Sequence, residues 1–140
     1  MYWFFIRSLT KLIIYIDKFL NFFRKKDFLT KIHDGLEDVQ YYNKDIEGKK
    51  IKFFCPTTRC LKRVNSLYQK EPETLNWINN FEKNLNINKE KIVFWDIGAN
   101  IGLYSIYAAV KFTNIEIISF EPSTSNTRTL SRNISINKLY

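Results

Sequence analysis

Apolar residues recur at helical spacing through the first 26 positions. Leu9, Leu12, Ile13, Ile16, Phe19, Leu20 and Phe23 fall on one side, and Arg7, Lys11, Lys18, Asn21 and Lys25 mostly on the other. This pattern predicts an amphipathic helix. Asp27 is placed to cap a short helix through Val39, with Gly35 weakening its middle. The period then changes. Val39-Gln40-Tyr41-Tyr42 and Ile51-Lys52-Phe53-Phe54-Cys55 read as a hairpin around a polar turn with Gly48, ended by Pro56. Thr57 or Thr58 starts a helix that runs to about Tyr68. A second helix starts at Glu71-Pro72-Glu73, with proline in its first turn and acids near its positive end. Trp77, Ile78 and Phe81 form its apolar face, and residues 84–91 read as a polar link.

Ile92-Val93-Phe94-Trp95 is apolar without alternation, which predicts a parallel strand covered on both faces. Asp96 and a turn with Gly98 and Gly102 follow. A helix is then expected to about Phe112, burying Leu103, Ile106, Tyr107 and Val110. Asn114 turns the chain into a second strand, Ile115-Glu116-Ile117-Ile118-Ser119-Phe120, which ends in Glu121-Pro122. Ser123 or Thr124 caps a last helix through about Ile136, with Leu130, Ile134 and Thr127 toward the sheet. Asn126 and Asn133 are polar positions on it that could reach a ligand or face solvent. The fold class expected is α/β, with an N-terminal helical and hairpin extension. Three segments are expected: residues 1–26, 27–90 and 91–140.

Composition adds a bound and a bias. The chain has 140 residues, 45% of them hydrophobic, enough for one unit with a real core. Its formal net charge is +8, which favours anionic partners, either a membrane surface or nucleic acid. Cys55 and Cys60 match neither a redox pair nor a zinc set, and His33 is the sole histidine, so no metal site is expected. Both thiols are expected to be free in a cytoplasmic setting.

The charge changes how the first helix is read. It is long enough to cross a bilayer, but Arg7, Lys11, Asp17 and Lys18 would each cost about 2.5–3.5 kcal/mol near the centre. A signal peptide fits poorly, since the first apolar run precedes the first basic residue. Two readings remain for residues 1–26: peripheral contact with a membrane, or packing on the rest of the chain or a partner.

The chemistry concentrates in Asp96-Ile97-Gly98-Ala99-Asn100-Ile101-Gly102. Strand, acid, glycine turn and helix form the layout of a nucleotide crevice at the carboxyl end of a sheet. Asn100 stands where a dinucleotide fingerprint has its middle glycine, and Asp96 would repel a pyrophosphate. The acid suits a ligand with a cation near the turn, such as S-adenosylmethionine. Glu121 follows Asp96 by about 25 residues, near where a ribose-binding acid is expected, about 20 residues after the glycine turn. Glu71 and Glu73 are either helix-start acids or groups near a cofactor ammonium or an acceptor. Arg59, Lys62, Arg63 and Lys70 read as a solvated basic face.

Asp96 through Ser105, then Ser119-Phe120-Glu121-Pro122, Asn126, Asn133 and Asn137, resemble the FkbM family of S-adenosylmethionine-dependent methyltransferases. Lys70-Glu71-Pro72-Glu73-Thr74-Leu75-Asn76-Trp77-Ile78 is similar to the helix before that family's cofactor strand. The similarity covers roughly positions 50 to 140. It implies a Rossmann-like class I methyltransferase sheet and methyl transfer to oxygen on a small molecule or sugar. It further implies that Asp96, Gly98, Asn100 and Gly102 cradle the methionine part, that Glu121 meets the ribose, and that Glu71 stands near the cofactor mouth. Such a sheet has about seven strands, of which this sequence shows two. The chain is therefore expected to be truncated and weak or inactive alone, with a catalytic base unassigned. An RNA methyltransferase fragment and a non-catalytic membrane-surface module are the alternatives, with nucleic acid the less favoured partner.

Overall fold

A computed structural model describes residues 2–23, 27–84 and 91–140. The chain is mixed α/β and divides into two units between Val39 and Gln40. In the first unit, α1 (Tyr2–Phe22) is followed by α2 (Phe28–Glu37). The two helices touch, and neither has a buried residue. The expected helix thus ends at Phe22, and positions 24–26 lie outside the described residues. Among the described residues, no helix is long and apolar enough to cross a membrane.

The second unit opens with the hairpin β1 (Tyr41–Ile46) and β2 (Lys49–Phe54), paired antiparallel with Ile46 opposite Lys49. Glu47 (φ 51) and Gly48 (φ 73) make the two-residue turn, both with positive φ as the twist of a hairpin favours. Val39 and Gln40, expected in the strand, form part of a short 3-10 turn instead. Next come α3 (Thr58–Asn65), α4 (Leu67–Lys70), α5 (Pro72–Asn79) and α6 (Phe81–Asn84). Thr57 caps α3 by accepting the Cys60 N–H at 3.2 Å. The helix expected through Tyr68 breaks at Ser66. Most of the expected polar link, residues 85–90, lies outside the described residues.

The strands β3 (Ile92–Ile97) and β4 (Ile115–Phe120) pair in parallel, joined by α7 (Leu103–Lys111) and followed by α8 (Thr124–Ile136). The hairpin and this pair are two separate two-stranded sheets among the described residues. One core serves both. Ile46, Ile51 and Phe53 of the hairpin, Val64, Leu67, Leu75 and Ile78 of the helices, and Ile92, Phe94, Ile106 and Tyr107 join in one buried cluster. Tyr107 is its largest fully buried side chain, and its hydroxyl lies 2.8 Å from both Glu47 Oε1 and Asn79 Oδ1.

Expectations fail at three places. First, β3 is covered on one face only. Ile92, Phe94 and Asp96 point inward, while Trp95 is 59% and Ile97 78% exposed. An unbroken apolar run does not reveal that only one face receives a helix. Second, Thr127 is exposed, and Thr129 takes the buried place beside Leu130. Leu103, likewise, is half-buried rather than buried. Third, Asn133 does not face solvent, and its side-chain amide turns to the backbone of other segments. It is fully buried, accepts the Phe54 N–H at 2.7 Å and donates to Ile101 O at 2.9 Å. One helical turn later, Asn137 accepts from Lys52 N at 3.0 Å and donates to Lys52 O at 2.8 Å.

Candidate functional site

The strands β3 and β4 end side by side, with Ile97 opposite Phe120. The chain leaves β3 through a turn in which Gly98 (φ 82), Asn100 (φ 54) and Gly102 (φ 84) all take left-handed backbone conformations. Asparagine is one of the few side chains that tolerates this region. The Gly98 and Ala99 amides both donate to Phe120 O, at 2.8 and 3.0 Å, and tie the turn to the end of β4.

Glu121 secures the turn from the β4 side. Its Oε2 accepts from Asn100 N at 2.8 Å, and its Oε1 accepts from Ser123 N at 2.8 Å and Asn126 Nδ2 at 3.3 Å. The Ser123 amide does most to hold its carboxyl below the usual carboxylate range, with the Asn100 and Asn126 bonds and the Arg63 charge adding to it. Asp96 secures the turn from beneath. It is buried, and its Oδ2 accepts from Ser105 N at 3.1 Å and Ser105 Oγ at 2.5 Å. Ser105 Oγ also lies 2.7 Å from Ser119 Oγ, so one hydroxyl joins β3, β4 and the first turn of α7. Gly102 does a packing job: a Cβ there would overlap Leu130 Cδ1.

A cleft of about 270 Å³ opens beside this turn, lined by Arg63, Ser66, Leu67, Lys70, Glu71, Gly98, Ala99, Asn100, Ile101, Leu103 and Tyr104. Of the six residues expected at the site, Glu71, Gly98 and Asn100 line it. Asp96, Gly102 and Glu121 do not, and they instead hold the turn that does. A Cβ on Gly98 would meet nothing within 4 Å, so the backbone there is open to approach.

Glu71 comes from the start of α5. The Tyr104 hydroxyl donates to its Oε2 at 2.9 Å, and Lys70 Nζ lies 3.2 Å from its Oε1. These partners hold the Glu71 carboxyl below its ordinary range, Tyr104 most of all. Burial, and then Glu71 itself, push the Tyr104 phenol up. Opposite, Arg63 Nη1 donates to Asn100 Oδ1. The cleft thus carries two cations and one carboxylate around an exposed turn of backbone.

Arg63, Lys70 and Tyr104 line the cleft but are not among the residues expected there. Arg63 stands in the sequence among exposed Arg59, Lys62 and Lys70, yet it lies beside buried Val64 and four residues before buried Leu67, on the rim of the packed face. Helical spacing could have separated it from its neighbours. A second groove, of about 430 Å³, shares Arg63 and is lined also by Thr57, Thr58, Arg59, Ser125 and Asn126, among others. The buried thiols take no part in the first cleft. Both are free, and burial, with Cys60 adding, pushes the Cys55 thiol up to about 12.

Over 42 residues, 30% of this chain, the sequence is 45% identical to the methyltransferase sdnD of Sordaria araneosa. The matched stretch covers 16% of that relative's length. No protein-family model matches the chain, and no solved structure does. The similarity supports a methyltransferase, over a short region.

Proposed function

We propose that residues 91–140 carry the cofactor turn of a Rossmann-like, FkbM-type methyltransferase. It would use S-adenosylmethionine to methylate an oxygen of a sugar or small molecule. The observation that carries this reading is the cleft at Gly98 and Asn100, where open backbone meets the Glu71 carboxylate, paired with Lys70, and the Arg63 guanidinium. The short similarity to a methyltransferase points the same way.

The donor set fits the amino-acid end of that cofactor. Glu71 is ionised and faces an ammonium well, and Arg63 matches a carboxylate. Gly98 gives the backbone close approach without a side chain. At about 270 Å³ the cleft is below the usual size of a small-molecule site, so it suits this end rather than the whole nucleoside. The ribose would lie toward Glu121 and Asn126. When bound, the cofactor supplies an electrophilic methyl group on a sulfonium. The chain's residues would hold that group in line for a hydroxyl oxygen, and alignment is the main contribution asked of them. Asp96 would act at one remove, by fixing the turn through Ser105.

Equilibrium dialysis of the full chain with labelled S-adenosylmethionine tests this. The expected result is weak but saturable binding, displaced by S-adenosylhomocysteine and weakened a further roughly tenfold or more by Glu71→Gln and by Arg63→Gln, as for lost charged hydrogen bonds. Binding that neither substitution changes would refute the placement, and binding that the homocysteine product cannot displace would refute the cofactor.

A further inference from the structure

We infer that α1 is a docking surface for an anionic lipid bilayer. Phe5, Leu9, Leu12, Ile16 and Phe19 follow one another at steps of four, three, four and three. At 100° per residue they form one stripe along the helix. The stripe is not consumed by packing, since Phe5 is 64%, Leu12 53% and Phe19 57% exposed. The residues of α1 that are half-buried are Ile6, Ile13, Ile16, Asp17, Leu20 and Asn21, and all but Ile16 lie to one side of the stripe.

The charges choose the occupant. Arg7, Lys11 and Lys18 project opposite the stripe and are exposed. Asp17 is the one acid in α1, and it accepts the Asn21 Nδ2 bond at 3.0 Å. A second copy of the helix would therefore offer the stripe an apolar partner but no complement to the cations. An anionic bilayer offers both, with acyl chains below and phosphates around the rim. Exposed Tyr2 and Tyr15 flank the stripe and exposed Trp3 lies on the cation side, and tyrosine and tryptophan are the side chains that favour the membrane–water boundary. Since α1 is not long and apolar enough to cross, it would lie in the plane of the surface. It contributes none of the residues that line the cleft at Gly98.

The test is cosedimentation of the full chain with phosphatidylcholine vesicles, with and without phosphatidylserine. Binding is expected with the serine lipid only, and it should fall as salt is raised. The triple substitution Arg7→Gln, Lys11→Gln and Lys18→Gln keeps the stripe. It should weaken binding on the order of a hundredfold, at roughly fivefold for each cation near the surface. Leu12→Ser with Phe19→Ser should abolish binding while the cations remain. Should that variant misfold by circular dichroism, the charge variant carries the test. Equal binding to neutral vesicles, or no loss in the charge variant, overturns the inference. So does a stable dimer in sedimentation that lipid fails to dissociate, which would give the stripe to a second copy.

Discussion

Gly102 and Leu130 are fitted to each other: the space a side chain would need at position 102 is filled by the Leu130 methyl group. Gly102 also sits at φ 84, which an L-residue adopts at a cost. Gly102→Ala should therefore destabilise the chain by about 1–3 kcal/mol from overpacking, with strain added. Leu130→Ala alone should cost about 2–5 kcal/mol. In the double variant the overlap is gone, so the cost should fall short of the sum by about 0.5–3 kcal/mol. Urea unfolding of the four proteins measures this, and strict additivity would contradict the fit.

Ser105 joins Asp96, Ser119 and the first turn of α7 through its side chain and amide. Ser105→Ala removes the 2.5 Å bond to a buried carboxylate and leaves Asp96 with the backbone amide. The expected cost is about 1–3 kcal/mol, as for a buried acceptor that loses a partner. Ser105→Thr keeps the hydroxyl and should recover part of it. A loss of stability in Ser105→Ala no greater than in an exposed serine such as Ser125 would show that Asp96 does not depend on the link.

What could be read from the sequence was what neighbours in the chain decide. Thr57 caps α3, Pro72 opens α5, and Gly48 turns the hairpin, because each acts within a few residues of itself. The parallel pairing of β3 and β4 followed from their helix connection. The losses came where distant segments meet. Asn133 could not be read as a buried clip, because its partners Phe54 and Ile101 lie 79 and 32 residues away. The bare face of Trp95 and Ile97 depends on which layers are present, and a run of apolar residues is silent on that. At the site, the order acid, glycine, asparagine located the turn correctly. It did not distinguish residues that face the cleft, such as Asn100, from those that brace it, such as Asp96.

Tyr104 is the largest cause of the lowered Glu71 pKa, ahead of Lys70. A carboxyl held low in the folded state adds stability above the ordinary carboxylate range. That stability is lost as pH falls through the depressed value. Tyr104→Phe should move the Glu71 carboxyl back toward its ordinary pKa and shrink this acid-side loss. A carbon-13 NMR titration of the Glu71 carboxyl reads it directly, and an unmoved midpoint would remove Tyr104 as the cause. Because Glu71 is well exposed, the effect on total stability should be small.

Tyr107 gives the alkaline counterpart. Burial first, and Glu47 next, push its phenol up to about 12. A group whose folded pKa is raised gives stability that is complete below its unfolded value, about 10 for tyrosine, and lost as pH rises through the folded value. Stability should therefore decline between about pH 10 and 12. Tyr107→Phe should flatten that decline while lowering stability at neutral pH, since Glu47 and Asn79 lose their shared partner. Denaturation midpoints across this range provide the check.

The amides of Asn133 and Asn137 do for β2 what a neighbouring strand would do. They occupy the outward N–H groups of Phe54 and Lys52 and the Lys52 carbonyl. An open strand edge invites addition of foreign backbone. Here the invitation is withdrawn by a helix, so the hairpin cannot template growth on that side unless α8 first lets go.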